Sequence, residues 1–528
     1  MRPTEWLAVL LTATPIAPAL AQGDLIPVPD RRGHVYSPSR RILFISTSGG
    51  LIERYDVVQG ILLPPFVVGN SLNGLDLTPE EDRLYVTENQ IGTTEGFVYR
   101  VDPDSGDVKT LSYDLAFFES GSWDVGIANN GLGFVSTRFA GSGWVPFREL
   151  DLATDTLTPR TDTKGSSGSQ VRQDTHINRG AGRNLLFMTE SNVSNGPVFT
   201  YSAATDSFPN SVSTGVFHGS TISSVNRDGT LIAMEAGTSV RILSSTLAQI
   251  QTLNGLSGGV IFDPVEDLLY AVNTSLNAVR ALETETFTLV SSFPIGESVS
   301  NSTPLGSGEM SISPDGDFLF LSTSSGIRAI LVGTPAPAVI AVTPDRLAFG
   351  DPPVPVLLSG GFFSFGSDTR VFFGQNEASE VTVLGDELIA ATPPLGEPGL
   401  VDVRVTNTAG EDVLPAGFAY TPALSVSGVL QPGGLLSTEL LMTPGEAIYV
   451  ALSGPPVVSV LCPPLGGTLC LFDPVIVTFA PAWPFDTLTL TIDIPDQPLF
   501  SGLEVVVQGL ALDGSEGAFT NCGSVQIQ

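Results

Sequence analysis

Lysine is almost missing from this chain. Its 528 residues hold two, Lys109 and Lys164, and Lys and Arg together number 23 against 55 Asp and Glu. The resulting net charge of −32 repels phosphate backbones and anionic lipid, so nucleic acid and membrane surfaces are excluded as expected partners. Charged residues make up only 15% of the chain, whereas hydrophobic ones reach 42%. That balance is too apolar for a disordered polymer and supplies enough material for large cores.

Histidine and cysteine are scarce too, with three of each. No C-x-x-C is present and no histidine adjoins a cysteine, which argues against structural zinc, haem attachment and thiol catalysis. No phosphate loop follows a strand and opens a helix. Gly255-Leu256-Ser257-Gly258-Gly259 has the letters of a nucleophile elbow. It runs into the apolar stretch Val260-Ile261-Phe262 with no helix behind it, so the serine lacks the context that would expose it. No stretch of about 18 uninterrupted apolar residues follows the leader, so membrane insertion is not expected.

The leader comes first among what is there. Arg2 and the apolar run from Trp6 precede Ala19-Leu20-Ala21, the small-x-small pattern of a secretory signal peptide over residues 1–21, with Gln22 as the expected mature start. The expected location is therefore secreted: periplasmic, extracellular or associated with the cell surface.

The high Gly and Pro content, 56 and 40 residues, suits many short strands joined by turns. A turn followed by a short apolar strand recurs, as in Thr78-Pro79 before Leu84-Tyr85-Val86-Thr87 and in Ser313-Pro314-Asp315-Gly316 before Phe318-Leu319-Phe320. Anchored at 38, 79, 129, 179, 227, 264 and 314, the phrase has seven copies at intervals of 37 to 50 residues. Four strands of a propeller blade need that length. Residues 22–333 are expected to form a seven-bladed β-propeller, with Asp24 to Val28 completing the last blade. The two phrases quoted resemble the YVTN-type repeat of secreted bacterial propellers, a resemblance that implies fold and leaves activity open.

Thr334-Pro335-Ala336-Pro337 marks a linker. Beyond it, Leu358-Ser359-Gly360-Gly361-Phe362-Phe363, Ala391-Thr392-Pro393-Pro394 and Gly399 to Asn407 resemble an IPT/TIG domain, an immunoglobulin-like sandwich, over 334–422. The expected fold class is all-β throughout, ending in a C-terminal β-sandwich over 423–528. That last stretch resembles a module of secreted Planctomycetes-type proteins. Cys462 and Cys470 flank Pro463-Pro464-Leu465-Gly466-Gly467, and a bridge between them is the economical pairing in an exported protein. Cys522 is then a buried thiol, or takes the place of one partner.

Four side chains are candidates for a metal site: His34, Asp124, His176 and Glu309. Each falls on or near the innermost strand of its blade, where N and O ligands from converging strands suit Ca2+ or another divalent cation. The competing expectation is solvated channel lining. Trp123, Trp144 and Phe147 are candidates for ligand binding, since rings on loops stack on sugars or anchor partner proteins. The expected function is an exported, non-catalytic binding or structural protein whose propeller loops recognise a protein or glycan. The alternative is a propeller-type hydrolase or lyase with a divalent cation in its channel.

Overall fold

The computed structural model describes residues 24–527 apart from 216–220, 300–302, 430, 443–445, 455–459, 462–467, 470, 472–474, 481–485, 495, 498–500 and 514–515. The leader at 1–21 lies outside the described residues. Every element among those described is a strand. The chain divides into two compact units, residues 1–333 and 334–528.

The first unit is an all-β, propeller-like arrangement holding seven four-stranded antiparallel sheets among the described residues. Their first strands are Arg31–Ser37, Leu72–Leu77, Glu119–Ile127, His176–Arg179, Ser223–Val225, Val260–Phe262 and Met310–Ile312. Each first strand neighbours the first strand of the next sheet, and that of the seventh neighbours that of the first. The seventh sheet borrows its outer strand: Asp24–Ile26 pairs antiparallel with Ile327–Leu331. Early and late parts of the unit are thereby tied together by backbone hydrogen bonds, as the sequence suggested for residues 24–28.

Apolar surface between successive sheets holds the ring. Second strands such as Ile42–Thr47 and Phe318–Ser322 are buried along their whole length, because a neighbouring sheet covers each face. Fourth strands such as Ile61–Val67 and Leu289–Pro294 are mostly exposed. Val35, Phe44 and Ile52 of the first sheet pack with Leu72, Leu84 and Val101 of the second. Phe134 of the third, with Phe147 just before that sheet's strand Arg148–Asp151, packs with Phe199 and Tyr201 of the fourth. Tyr36 stacks on Phe320 at 5.7 Å, joining the first sheet to the seventh.

In the second unit, a four-stranded sheet (Ala338–Thr343, Val356–Gly361, Leu388–Ala391, Val381–Gly385) and a five-stranded sheet containing Gly399–Asn407 and Gly410–Thr421 share one core. Leu358 and Ile389 enter it from one sheet, Phe373 and Phe418 from the other. Further on, a three-stranded sheet (Ala423–Val429, Leu435–Leu441, Thr487–Asp493) and a sheet around Ala447–Ser453 and Glu504–Asp513 share a second core, with Leu440 and Val450 on its two sides. Cys522 is disulfide-bonded and is not a free thiol. Cys462 and Cys470 themselves lie outside the described residues.

Candidate functional site

A cavity of about 440 Å³ opens where the seven first strands converge, and all seven contribute to its wall. Glycine lets the strands come this close. A Cβ on Gly74 would stand 3.0 Å from the Asp124 backbone, and one on Gly126 would stand 2.5 Å from Ile177.

Two carboxylates of the wall are fully occupied. Asp124 Oδ2 accepts from His176 Nδ1 at 2.7 Å and from the Ile177 N–H at 2.8 Å. Its Oδ1 accepts from the Val125 N–H at 2.9 Å. Asp76 accepts from Arg179 Nε at 2.8 Å, from Arg183 at 2.8 and 3.1 Å, and from the Ile127 N–H at 2.9 Å. Burial alone would raise the Asp76 pKa, but the two guanidinium groups outweigh it and hold it below its ordinary value. Burial likewise opposes the charged form of His176, and the Asp124 carboxylate overcomes it, keeping that imidazole above its ordinary pKa.

His34 and Glu309 behave in the opposite way. His34 Nδ1 meets Ser311 Oγ at 2.7 Å, while its Nε2 is buried without a hydrogen-bond partner. Burial pushes its pKa down to about 4. Glu309 Oε2 is also buried without a partner. Burial, helped by the nearby negative charge of Asp124, pushes that carboxyl up to about 8. Asn178, another residue of the cavity wall, likewise has its Oδ1 buried without a partner.

His34, Asp124, His176 and Glu309 therefore all line one cavity, as their places on inner strands implied. They do not form a metal-holding set: among the described residues no group of three or more His, Cys, Asp or Glu is disposed to hold an ion. The physical reason is that Asp124 spends its oxygens on His176 and on backbone N–H groups. The Gly258 and Gly259 N–H groups both donate to the Glu235 carboxylate, which explains the glycines of the serine motif as a structural turn.

The aromatic candidates part company. Phe147 is fully buried, 5.5 Å from Phe134 in a stacked pair and 5.9 Å from Phe199 edge-on, so it is a core residue and cannot meet an outside ligand. Trp123 is half-buried beneath Arg138, whose guanidinium lies 5.2 Å from the ring. Trp144 is exposed, with Arg172 at 4.9 Å and its Nε1 donating to Ser166 Oγ at 2.8 Å. None of the three lines the cavity. Asn178, Arg179, Arg183 and Ser311 were not among the sequence candidates. Asn178-Arg179 was visible only as part of a repeat turn.

No family model matches the chain. No curated protein matches it either. A solved structure of Kuenenia stuttgartiensis hydrazine synthase is similar at 16% identity and a TM-score of 0.45, covering 59% of this chain and 97% of that one. At this level the likeness carries no inference about this chain.

Proposed function

We propose that this chain is an exported, non-catalytic recognition protein, and that the cavity at the centre of its ring of sheets is the recognition site. On this reading the first unit is a seven-bladed β-propeller of YVTN type. The second carries an immunoglobulin-like IPT/TIG domain and a C-terminal sandwich, which act as spacers or docking modules.

One observation carries the proposal. Three residues of the cavity wall from three different parts of the ring, His34, Asn178 and Glu309, each hold a buried polar atom without a partner: Nε2, Oδ1 and Oε2. An unpaired buried polar atom costs about 1–3 kcal/mol, so folded proteins keep few of them without a reason. A ligand bonded to all three supplies that reason. The volume of about 440 Å³ falls in the range of small-molecule sites, roughly 300–1,000 Å³.

The test is a thermal-shift screen of small molecules against the full chain and an Asn178→Phe variant that plugs the cavity. A compound that raises the melting temperature of the first and not of the second supports the site. Compounds that stabilise both equally, and lose their effect when Trp144 or Phe117, both exposed rings outside the cavity, becomes Ala, would move recognition to the outer loops.

A second reading, a hydrolase or lyase, is favoured by one specific feature. Asp124 orients the His176 ring through Nδ1, which is how a general base is aligned. The form of it that depends on a channel cation would need ligands beyond this set, since none among the described residues is arranged to hold an ion.

A further inference from the structure

The charged groups of the cavity wall face opposite charges, and this bears on what it can admit. Asp76 faces Arg179 and Arg183, and Arg183 also feels the charge of Glu80. Asp124 is matched by His176. Glu81, another wall residue, accepts from the Ser37 and Ser39 hydroxyls and lies 3.7 Å from Arg40, which is shared with Asp104 at 2.6 and 2.8 Å. The remaining titratable wall groups are Glu309, His34 and Tyr36, whose phenol burial keeps in its uncharged form. Glu309 is faced by His176, Asp124 and Arg31, with burial dominant, and its pKa near 8 leaves it protonated at neutral pH. His34, with a pKa near 4, is uncharged there.

A charged ligand entering such a site would lose its hydration and meet no spare counter-charge, which is costly. What the wall offers instead is a set of neutral hydrogen-bonding atoms: a carboxyl group that can donate, an amide oxygen that accepts, and an imidazole nitrogen that does one or the other according to its tautomer. A hydroxyl group donates and accepts at once, so it fits each of these positions. Tyr36 and Phe262 line the same cavity and add apolar ring surface of the kind that packs against the C–H face of a sugar.

We infer that the cavity takes a neutral, hydroxyl-rich ligand, a sugar ring either free or at the end of a glycan, held by His34, Asn178 and Glu309. The inference rests on the cavity being the recognition site and narrows its ligand class.

The experiment uses the full chain against an array of neutral, acidic and amino mono- and oligosaccharides, followed by calorimetric titration of the best binders, with Ca2+ and Zn2+ as separate probes. Neutral sugars should bind and charged ones should not. Binding of reducing-end-free monosaccharides as well as chain ends identifies a free sugar as sufficient, and binding of chain ends alone identifies a glycan terminus. Glu309→Gln, which keeps a neutral hydrogen-bonding group, should hold affinity within about threefold. Glu309→Leu and Asn178→Leu should each lose at least tenfold in affinity, because each removes a polar atom that the fold leaves without a partner.

Binding of amino sugars or of either metal ion, abolished by Glu309→Gln, would overturn the ligand class while keeping the site. Sugar binding indifferent to all three variants, or no binding by any probe, would overturn the inference together with the site. A fall in melting temperature for both leucine variants with no change in affinity would show that Glu309 and Asn178 are structural.

Discussion

Asp124 and His176 come from neighbouring sheets, 52 residues apart in sequence, and meet with Oδ2 and Nδ1 separated by 2.7 Å. The same oxygen takes the Ile177 N–H, so one carboxylate both aligns the imidazole and staples two first strands of the ring. Asp124→Asn removes the charge that opposes burial at His176. The His176 pKa should then drop below its ordinary value, read from the imidazole proton resonances across a pH titration. The substitution should also cost about 1–3 kcal/mol of stability. An unchanged imidazole titration would mean that the pair does not set the protonation of His176.

Glu309 predicts a pH dependence with a definite sign. Its folded pKa is raised to about 8 from an ordinary 4.5, so the folded state holds a proton that the unfolded state has released. The stability it contributes is present below pH 4.5 and is lost as pH rises toward 8. His34 works the other way only between about 4 and 6.5, where its depressed folded pKa makes stability fall as pH falls. Above pH 6.5 the loss from Glu309 is therefore unopposed by His34. Urea unfolding at pH 6.5 and 8.5 should show a larger drop for the native chain than for Glu309→Gln. Equal drops would remove Glu309 from the account.

A buried ion pair locks the third sheet. Arg148 and Glu119 have side chains 2% and 0% exposed, are joined by paired hydrogen bonds, and the guanidinium also lies 4.2 Å from the Tyr113 ring. Arg148→Met leaves Glu119 as an uncompensated buried charge and should cost about 3–5 kcal/mol. The double variant with Glu119→Leu should recover most of that loss. Chemical denaturation of the three chains separates this outcome from a simple packing defect, in which the second substitution would add to the damage.

Phe147 offers a contrast between a core and a binding role. Phe147→Ala should destabilise by about 3–5 kcal/mol, as a fully buried aromatic does, and should leave ligand affinity of the folded protein unchanged. Unchanged stability with lost binding would restore it to the ligand surface.

Much of the ring was legible in the sequence, because every sheet carries the same turn phrase before a second strand that must be apolar on both faces. Ser37-Pro38 before Ile42–Thr47 and Ser313-Pro314 before Phe318–Ser322 are examples. Periodicity also placed His34, Asp124, His176 and Glu309 near inner strands, and convergence of those strands brings them to one cavity. What periodicity lacks is the identity of each partner. The binding of Asp124 to His176, and of Asp76 to Arg179 and Arg183 over more than a hundred residues, depends on the angle between sheets that no local pattern encodes. Phe147 was misread for a different reason. Gly143-Trp144-Val145-Pro146-Phe147 has loop composition, yet Trp144 faces out while Val145 and Phe147 face in, an alternation too short to stand out.

The most direct test of the central claim is a crystal structure of the chain grown with a neutral sugar selected from the array. Sugar density is expected inside the cavity, with hydroxyl groups within hydrogen-bond distance of His34 Nε2, Asn178 Oδ1 and Glu309 Oε2. Sugar density on the outer loops beside Phe117 or Trp144, with none in the cavity, would contradict it.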